Sequence, residues 1–296
     1  MRAAVHIIPV ARRLRKNVRE NIPSWQKSTV YSGGVLVLEV IGLSKSFKKK
    51  GEYTQIVENA SFSVGDNEAV GIVGPSGCGK STIARIICGT IRKDSGDIIF
   101  DGEKVILDSG RYNTEMRKKI QLIGQQPFLS LDGRQKIGSA IAEPMLRHKI
   151  APRGECYKRA SELLEKVWLD KEVMNMYPHQ LSGGMCQRVI IARALGLNPK
   201  LLIADESTSM LDTSSQAQVI RLLHRLKQDG VSILFISHDM ELVKVFSDRV
   251  LRMENHNLIN ITTEKGEKQN EKKNNFATCS CDGAGTDSLG LHKAGL

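Results

Sequence analysis

Aromatic residues are scarce in this chain: Phe, Tyr and Trp make up 5% of its 296 residues, and only 2 are Trp. A surface that grips single-stranded nucleic acid stacks bases on several aromatics, and nothing in the sequence suggests such a platform. No apolar run approaches the roughly 18 residues of a membrane span. The six cysteines, Cys78, Cys88, Cys156, Cys186, Cys279 and Cys281, are scattered and form no disulfide framework. That usage points to reduced thiols in a cytosolic chain. Cys279 and Cys281 stand too close for ordinary zinc-ligand spacing. A secretory signal is not expected either, because the apolar patch Ala3–Val10 precedes the basic cluster Arg12–Lys16, the reverse of a signal's order.

Acidic charge is also in deficit. Lys and Arg number 43 against 32 Asp and Glu, a net charge of +11. More than half of that excess lies in the first 36 residues, where Arg2, Arg12, Arg13, Arg15, Lys16, Arg19 and Lys27 face Glu20 alone. A basic balance suits nucleic acid or an anionic membrane face and does not choose between them.

The length allows one large α/β domain or two modest ones. Residues 1–34 read as a basic extension, parted by Gly33-Gly34 from the strand Val35–Val40. Within it, Ala11–Glu20 fits a short basic amphipathic helix at a membrane surface. A disordered arm, or a start read too far upstream, fits equally well. Residues 260–296, rich in Lys, Glu, Asn, Gly and Ser, read as a disordered tail. Residues 35–259 between them form one unit without an internal repeat.

In that unit, Ile56–Val64, Glu68–Val73, Gly96–Val105 and Ile120–Gly124 read as strands. Ser81–Ile87, Arg153–Trp168 and Met185–Leu197 have helical spacing. Leu201–Ala204 is wholly apolar and Val231–Ile236 is apolar but for Ser232, as parallel strands covered on both faces should be, and Ser214–Gln228 between them completes a βαβ unit.

The richest segment is Gly74-Pro75-Ser76-Gly77-Cys78-Gly79-Lys80-Ser81-Thr82, which fits the P-loop pattern at Gly74, Gly79, Lys80 and Ser81. It follows one predicted strand and opens a predicted helix, the context that turns a pattern into a phosphate site. Glycines let backbone N–H groups curl toward a β-phosphate, and the helix N-terminus adds partial positive charge. Lys80 would neutralise the β- and γ-phosphates of a nucleoside triphosphate, and the Ser81 hydroxyl would ligate Mg²⁺. Downstream, Leu201–Ala204 runs into two carboxylates. Asp205, at the strand's C-terminal edge, sits where Mg²⁺ is held through a water, and Glu206 would orient or deprotonate the attacking water. His238 follows the next apolar strand directly and could reach the γ-phosphate.

Leu181-Ser182-Gly183-Gly184-Met185, followed by a helix, makes the sequence resemble the ATP-binding-cassette (ABC) ATPases, with the match running over about residues 35–255. The resemblance implies an α/β P-loop NTPase fold: a RecA-like core, an antiparallel β subdomain, and an α-helical signature subdomain at about residues 125–195. It implies that Phe47 stacks on adenine and that Gln125 senses Mg²⁺ and couples to the membrane domain. It implies that Asp212 belongs to the D-loop. Ser182, Gly183, Gly184 and Met185 would grip the γ-phosphate of a second cassette. Ser130–Arg134, Ile137-Gly138 and Ile141–Pro144 are similar to the corresponding stretch of oligopeptide, dipeptide and nickel importer cassettes. Two residues depart from the family pattern: Met185 stands for the usual Gln, and Ser207 for the Pro that commonly follows the catalytic Glu. The latter loss bears on the turn's rigidity, since that Pro does no chemistry.

The resemblance therefore implies an ATPase subunit that energises an importer of peptides or nickel from the cytoplasmic face of the membrane. Its partners would be a second cassette, preferably a paralogue, two transmembrane permease subunits and, indirectly, an extracytoplasmic solute-binding protein, with no nucleic acid. A soluble repair cassette would carry a long coiled-coil insertion between Thr82 and Leu181, and a translation cassette would commonly be doubled. A regulatory cassette without turnover is opposed by the presence of Lys80, Asp205, Glu206 and His238 together.

Overall fold

The computed structural model describes residues 35–261, apart from Lys50, residues 107–111 and Thr114. The extension 1–34 with its candidate helix Ala11–Glu20, the tail beyond 261, and Cys279 and Cys281 lie outside the described residues.

Two sheets carry the fold. The first is antiparallel and built from β1 (Leu36–Lys49), β2 (Glu52–Gly65), β4 (Ser95–Phe100) and β5 (Glu103–Lys104), in the order β2-β1-β4-β5. The second has the order β10-β9-β3-β8-β7-β6, from β3 (Ala69–Val73), β6 (Ile120–Ile123), β7 (Leu201–Asp205), β8 (Ser232–Ser237), β9 (Arg249–Glu254) and β10 (Asn257–Asn260). Its strands pair in parallel except β10, which returns antiparallel on β9.

Every residue of β3, β7 and β8 is buried, which explains their unbroken apolar runs: both faces of the sheet are covered. Alternation then sorts the side chains between two cores. Val70, Ile72, Leu201, Ile203, Leu234 and Ile236 meet the antiparallel sheet and the buried face of helix α1 (Lys80–Ile87). Ala69, Val73, Leu202, Ala204, Ile233 and Phe235 share a core with the remaining long helices. Those are α4 (Ile137–Arg147), α5 (Arg153–Lys166), α6 (Gly183–Leu195), α7 (Thr213–Gln228) and α8 (Met240–Phe246), while α2 (Met116–Lys119) and α3 (Pro127–Ser130) are single turns. Each large buried side chain contributes about 1.5–3 kcal/mol, so these two cores dominate the fold's stability.

A buried ion pair joins the sheets. Arg249 Nε donates to Glu68 Oε1 at 2.9 Å, while Glu68 Oε2 accepts from Gly65 N–H at 2.6 Å. Arg249 also donates to the Ser63 carbonyl, so the end of β2, the approach to β3 and the start of β9 share one polar knot. Removing either partner would leave a buried charge uncompensated.

The elements depart from the sequence expectations at identifiable points. Gly96–Val105 is two strands, because Asp101 and Gly102 both have positive φ (53° and 81°) and make a two-residue hairpin turn. Helix α5 ends at Lys166, and Trp168 at φ 58° lies in the left-handed region. The β9–β10 hairpin was not anticipated. It turns through Asn255 and His256 at φ 46° and 66°, without the glycine that usually announces such a turn.

Candidate functional site

The site is built where β3 gives way to α1. Gly77 and Gly79, at φ 79° and 112°, take the loop through conformations that L side chains rarely adopt. Gly79 also has no room: a Cβ there would lie 2.7 Å from the Ile56 carbonyl. The first turn of α1 carries no acidic residue and no side-chain cap, so its N–H groups keep their affinity for an anion.

One cleft of about 300 Å³ is lined by Phe47, Ile56, Ser76, Gly77, Gly79, Lys80, Ser81, Thr82, Gln125 and Glu206. Nine of these were named from the sequence and come from four separate segments. Ile56 was missed. It is the residue skipped where the β1–β2 pairing shifts from Lys45↔Val57 to Ser46↔Gln55, and the alternation of β2 gives no sign of such a bulge.

Charge is concentrated in the cleft. The Lys80 side chain is 3% exposed, and its ammonium donates to the Gly74 and Pro75 carbonyls, both at 2.8 Å. It lies 4.0 Å from Glu206 Oε1 and 3.8 Å from Cys78 Sγ. Ser81 Oγ donates to Asp205 Oδ1 at 2.9 Å, joining α1 to the end of β7. Burial raises the pKa of Asp205, the Ser81 hydrogen bond lowers it, and the neighbouring Glu206 raises it again, with the net shift upward. A cation beside Asp205 would reverse that shift.

Glu206 has φ 48°, an uncommon setting for a non-glycine residue and one that clusters at functional sites. Its N–H donates to the Ile236 carbonyl, and its own carbonyl accepts from the Ser209 hydroxyl. Its Oε1 lies 4.0 Å from Lys80 Nζ and 3.8 Å from His238 Nδ1. His238 is largely exposed. Ser207 is buried, and its hydroxyl has no hydrogen-bond partner among the described residues. Nothing in the structure explains that serine.

Ser182, Gly183, Gly184 and Met185 do not line this cleft. They form the start of α6, with Ser182 capping it through the Met185 N–H at 3.3 Å. Asp212 caps the neighbouring helix α7 by accepting from Ser215 N–H. A Cβ on Gly184 would strike Ser215 Oγ at 2.5 Å, so close packing of α6 on α7 accounts for that glycine. Gly183 is different: its Cβ would meet only Leu211, at an ordinary 3.5 Å. Its own chain leaves room there.

No group of three or more His, Cys, Asp or Glu that could cage a metal occurs among the described residues. Ser81, Asp205 and Gln125 instead offer a few oxygens beside a phosphate loop, the kind of partial shell that suits Mg²⁺ carried on a nucleotide.

The thiols allow one check on the loop. Burial pushes the Cys88 thiol up to about 12 and the Cys186 thiol up to about 11, and Cys156 is fully buried. Cys78 is only half-buried, and its sulfur would lie 3.0 Å from a Cβ on Gly74. Alkylation with N-ethylmaleimide near pH 7.5 is therefore expected to abolish ATP binding through Cys78. ATP should protect, and a Cys78→Ser chain should resist. Equal inhibition of Cys78→Ser would refute the assignment.

Comparison with known proteins agrees with this geometry. The family model described as ABC transporter matches residues 57–209. The glutathione import ATP-binding protein GsiA of Pectobacterium atrosepticum is 47% identical over 198 residues, covering 67% of this chain and 32% of that protein. This chain therefore spans about a third of that relative's length. The oligopeptide transport ATP-binding protein OppF of Haemophilus influenzae is 42% identical over 236 residues, covering 76% of this chain and 71% of that protein. Among solved structures, the dimeric post-hydrolysis state of the ATP-binding cassette MJ0796 bound to ADP and Pi superposes with a TM-score of 0.66. It shares 28% identity, over 75% of this chain and 96% of that one. CbiO1 of Clostridium perfringens, part of an ABC transporter complex, gives a TM-score of 0.68 at 25% identity, over 82% of this chain and 96% of that one.

Proposed function

The chain belongs to the ABC transporter family, and from that premise we propose that it binds and hydrolyses ATP to drive a membrane importer of short peptides. The observation that carries this reading is the convergence of the P-loop, Gln125, Glu206 and Phe47 on one cleft. The loop from Gly74 through Pro75, Ser76, Gly77, Cys78 and Gly79 wraps the phosphates, Lys80 and Thr82 neutralise and orient them, and Phe47 faces the base. Mg²⁺ would be held by Ser81 and Gln125, with Asp205 acting through a water, and would neutralise developing charge on the phosphates. Glu206 takes the proton of the attacking water, and His238 steadies it.

Ser182, Gly183, Gly184 and Met185 would complete the site of a second cassette, with Asp212 at the seam. No helix among the described residues is long and apolar enough to cross a membrane. Separate permease subunits would supply the path, with the chain peripheral on their cytoplasmic face and a solute-binding protein on the far side. The domain limits that fit this role are 35–259 for the ATPase, with 125–195 as its helical part and flanking segments 1–34 and 260–296. Peptide cargo rests on the names of the relatives above, none of which points to nickel.

Uptake separates the cargoes. Cells lacking this chain should lose import of labelled tripeptides, glutathione among them, and keep import of Ni²⁺. Loss of Ni²⁺ uptake with intact peptide uptake would overturn the peptide reading.

A further inference from the structure

The loop that leaves the phosphate-binding helix reaches back to the strand that carries the base-facing aromatic. After α1, Asp94 precedes β4, and its N–H donates to the Ser44 carbonyl of β1 at 3.0 Å. Its carboxylate accepts from the Ser46 N–H at 2.6 Å and from Lys45 Nζ at 2.5 Å. Burial opposes ionisation of Asp94, but these hydrogen bonds outweigh it and hold the carboxyl below the usual carboxylate range. Lys45, two residues before Phe47 on β1, projects to the same side of the strand. Its ammonium lies 5.2 Å from the centroid of the Phe47 ring. Phe47 lines the cleft and Lys45 does not.

An exposed ion pair alone is worth little. This one is tied to the β1 backbone at two points, the Ser44 carbonyl and the Ser46 N–H, and β1 needs such a tie. Its pairing with β2 shifts register between Val40 and Leu43, Leu43 and Lys45, and Lys45 and Ser46, and its pairing with β4 ends at Ser44↔Ser95. Phe47 stands beyond the last β4 partner, near the end of a hairpin whose register is irregular. Asp94 adds a hold from the loop after α1 to the β1–β2 ladder that carries the ring, where Phe47 pairs with Thr54.

We infer that Asp94 is a positioning residue for the base: through Ser46 and Lys45 it sets the height and face of Phe47 and thereby the affinity for the adenine part of ATP. The inference rests on the reading of Phe47 as the base-stacking residue.

The test compares ATP with inorganic triphosphate, which has no base, as ligands of the purified full chain by calorimetry. Asp94→Asn should weaken ATP about five-fold, the worth of one exposed cation–π contact, and leave triphosphate unchanged. Lys45→Met, which keeps the aliphatic stem and the Asp94–Ser46 bond, should act in the same direction and guards against a fold defect in Asp94→Asn. In a Phe47→Leu background, Asp94→Asn should have no further effect. Equal weakening of both ligands, no change with ATP, or a persistent effect without Phe47 would each overturn the role of Asp94. If Phe47→Leu itself leaves ATP affinity intact, the stacking reading has failed instead.

Discussion

Replacing Glu206 by Gln should cut ATP turnover by about 10²–10⁴-fold, the usual size of general-base loss, while ATP still binds. Gln keeps the shape and the hydrogen-bonding reach of Glu and removes only the basic oxygen. The side chain is well placed for the role: 14% exposed, 3.8 Å from His238 and 4.0 Å from Lys80. Asp205 cannot take over, because it is buried and its oxygen is held by Ser81 at 2.9 Å. The backbone should tolerate the change, since Gln meets the same restriction at φ 48° as Glu does. Phosphate release is to be measured in the assembled transporter, with the partner cassette's site inactivated separately. Turnover at the wild-type rate would remove Glu206 from the chemistry.

The second large effect concerns Gly183. A Cβ at this position meets only Leu211 at 3.5 Å, so Gly183→Asp is expected to fold. It would, however, put a carboxylate at the start of α6, where backbone N–H groups are available to a phosphate. None of Ser182–Met185 lines the cleft of its own chain. If the phosphate they grip belongs to a second cassette, each signature completes the partner's site, and closure is tied to ATP while opening follows hydrolysis. A mixed dimer of the altered chain with a second, unaltered cassette is the informative assembly. In it, Gly183→Asp should reduce hydrolysis at the partner's P-loop by about 10²–10³-fold, the cost of losing a preorganised donor site. Nucleotide binding at the P-loop of the altered chain should stay intact. Loss of ATP binding by the isolated altered chain would show that the signature acts within its own subunit.

Much of the candidate site was legible because its chemistry is local. The loop Gly74–Thr82 needs glycines, a lysine and a hydroxyl in fixed order, and an apolar strand ending in Asp205-Glu206 is equally explicit. The apolar runs at Leu201–Ala204 and Ile233–Ile236 announced strands covered on both faces, as β7 and β8 are. The misses have separate causes. The Asp101-Gly102 turn was within reach of sequence rules and was overlooked inside a longer apolar pattern. The Asn255-His256 turn lacks the usual glycine, and the hairpin around it was invisible for that reason. Ile56 enters the cleft through a bulge, which exists only in the pairing of two strands.

By itself, then, the order of residues set out the chemical groups: a glycine-rich loop ending in Lys80-Ser81, a carboxylate beyond β7, a glycine-rich helix start at Ser182. It did so because glycine conformations, helix termini and charge act over a few residues. The tertiary structure alone decided which of these groups meet. Sheet order brings β3 beside β8 and β8 beside β7, so that Lys80 and Glu206, far apart in sequence, share one small cleft and His238 comes within 3.8 Å of Glu206. Packing of α6 on α7 holds Gly183 outside that cleft, and a carboxylate from the loop after α1 ties down the strand that bears Phe47. Such juxtapositions depend on burial and register summed over the whole domain, and no local stretch of sequence encodes them.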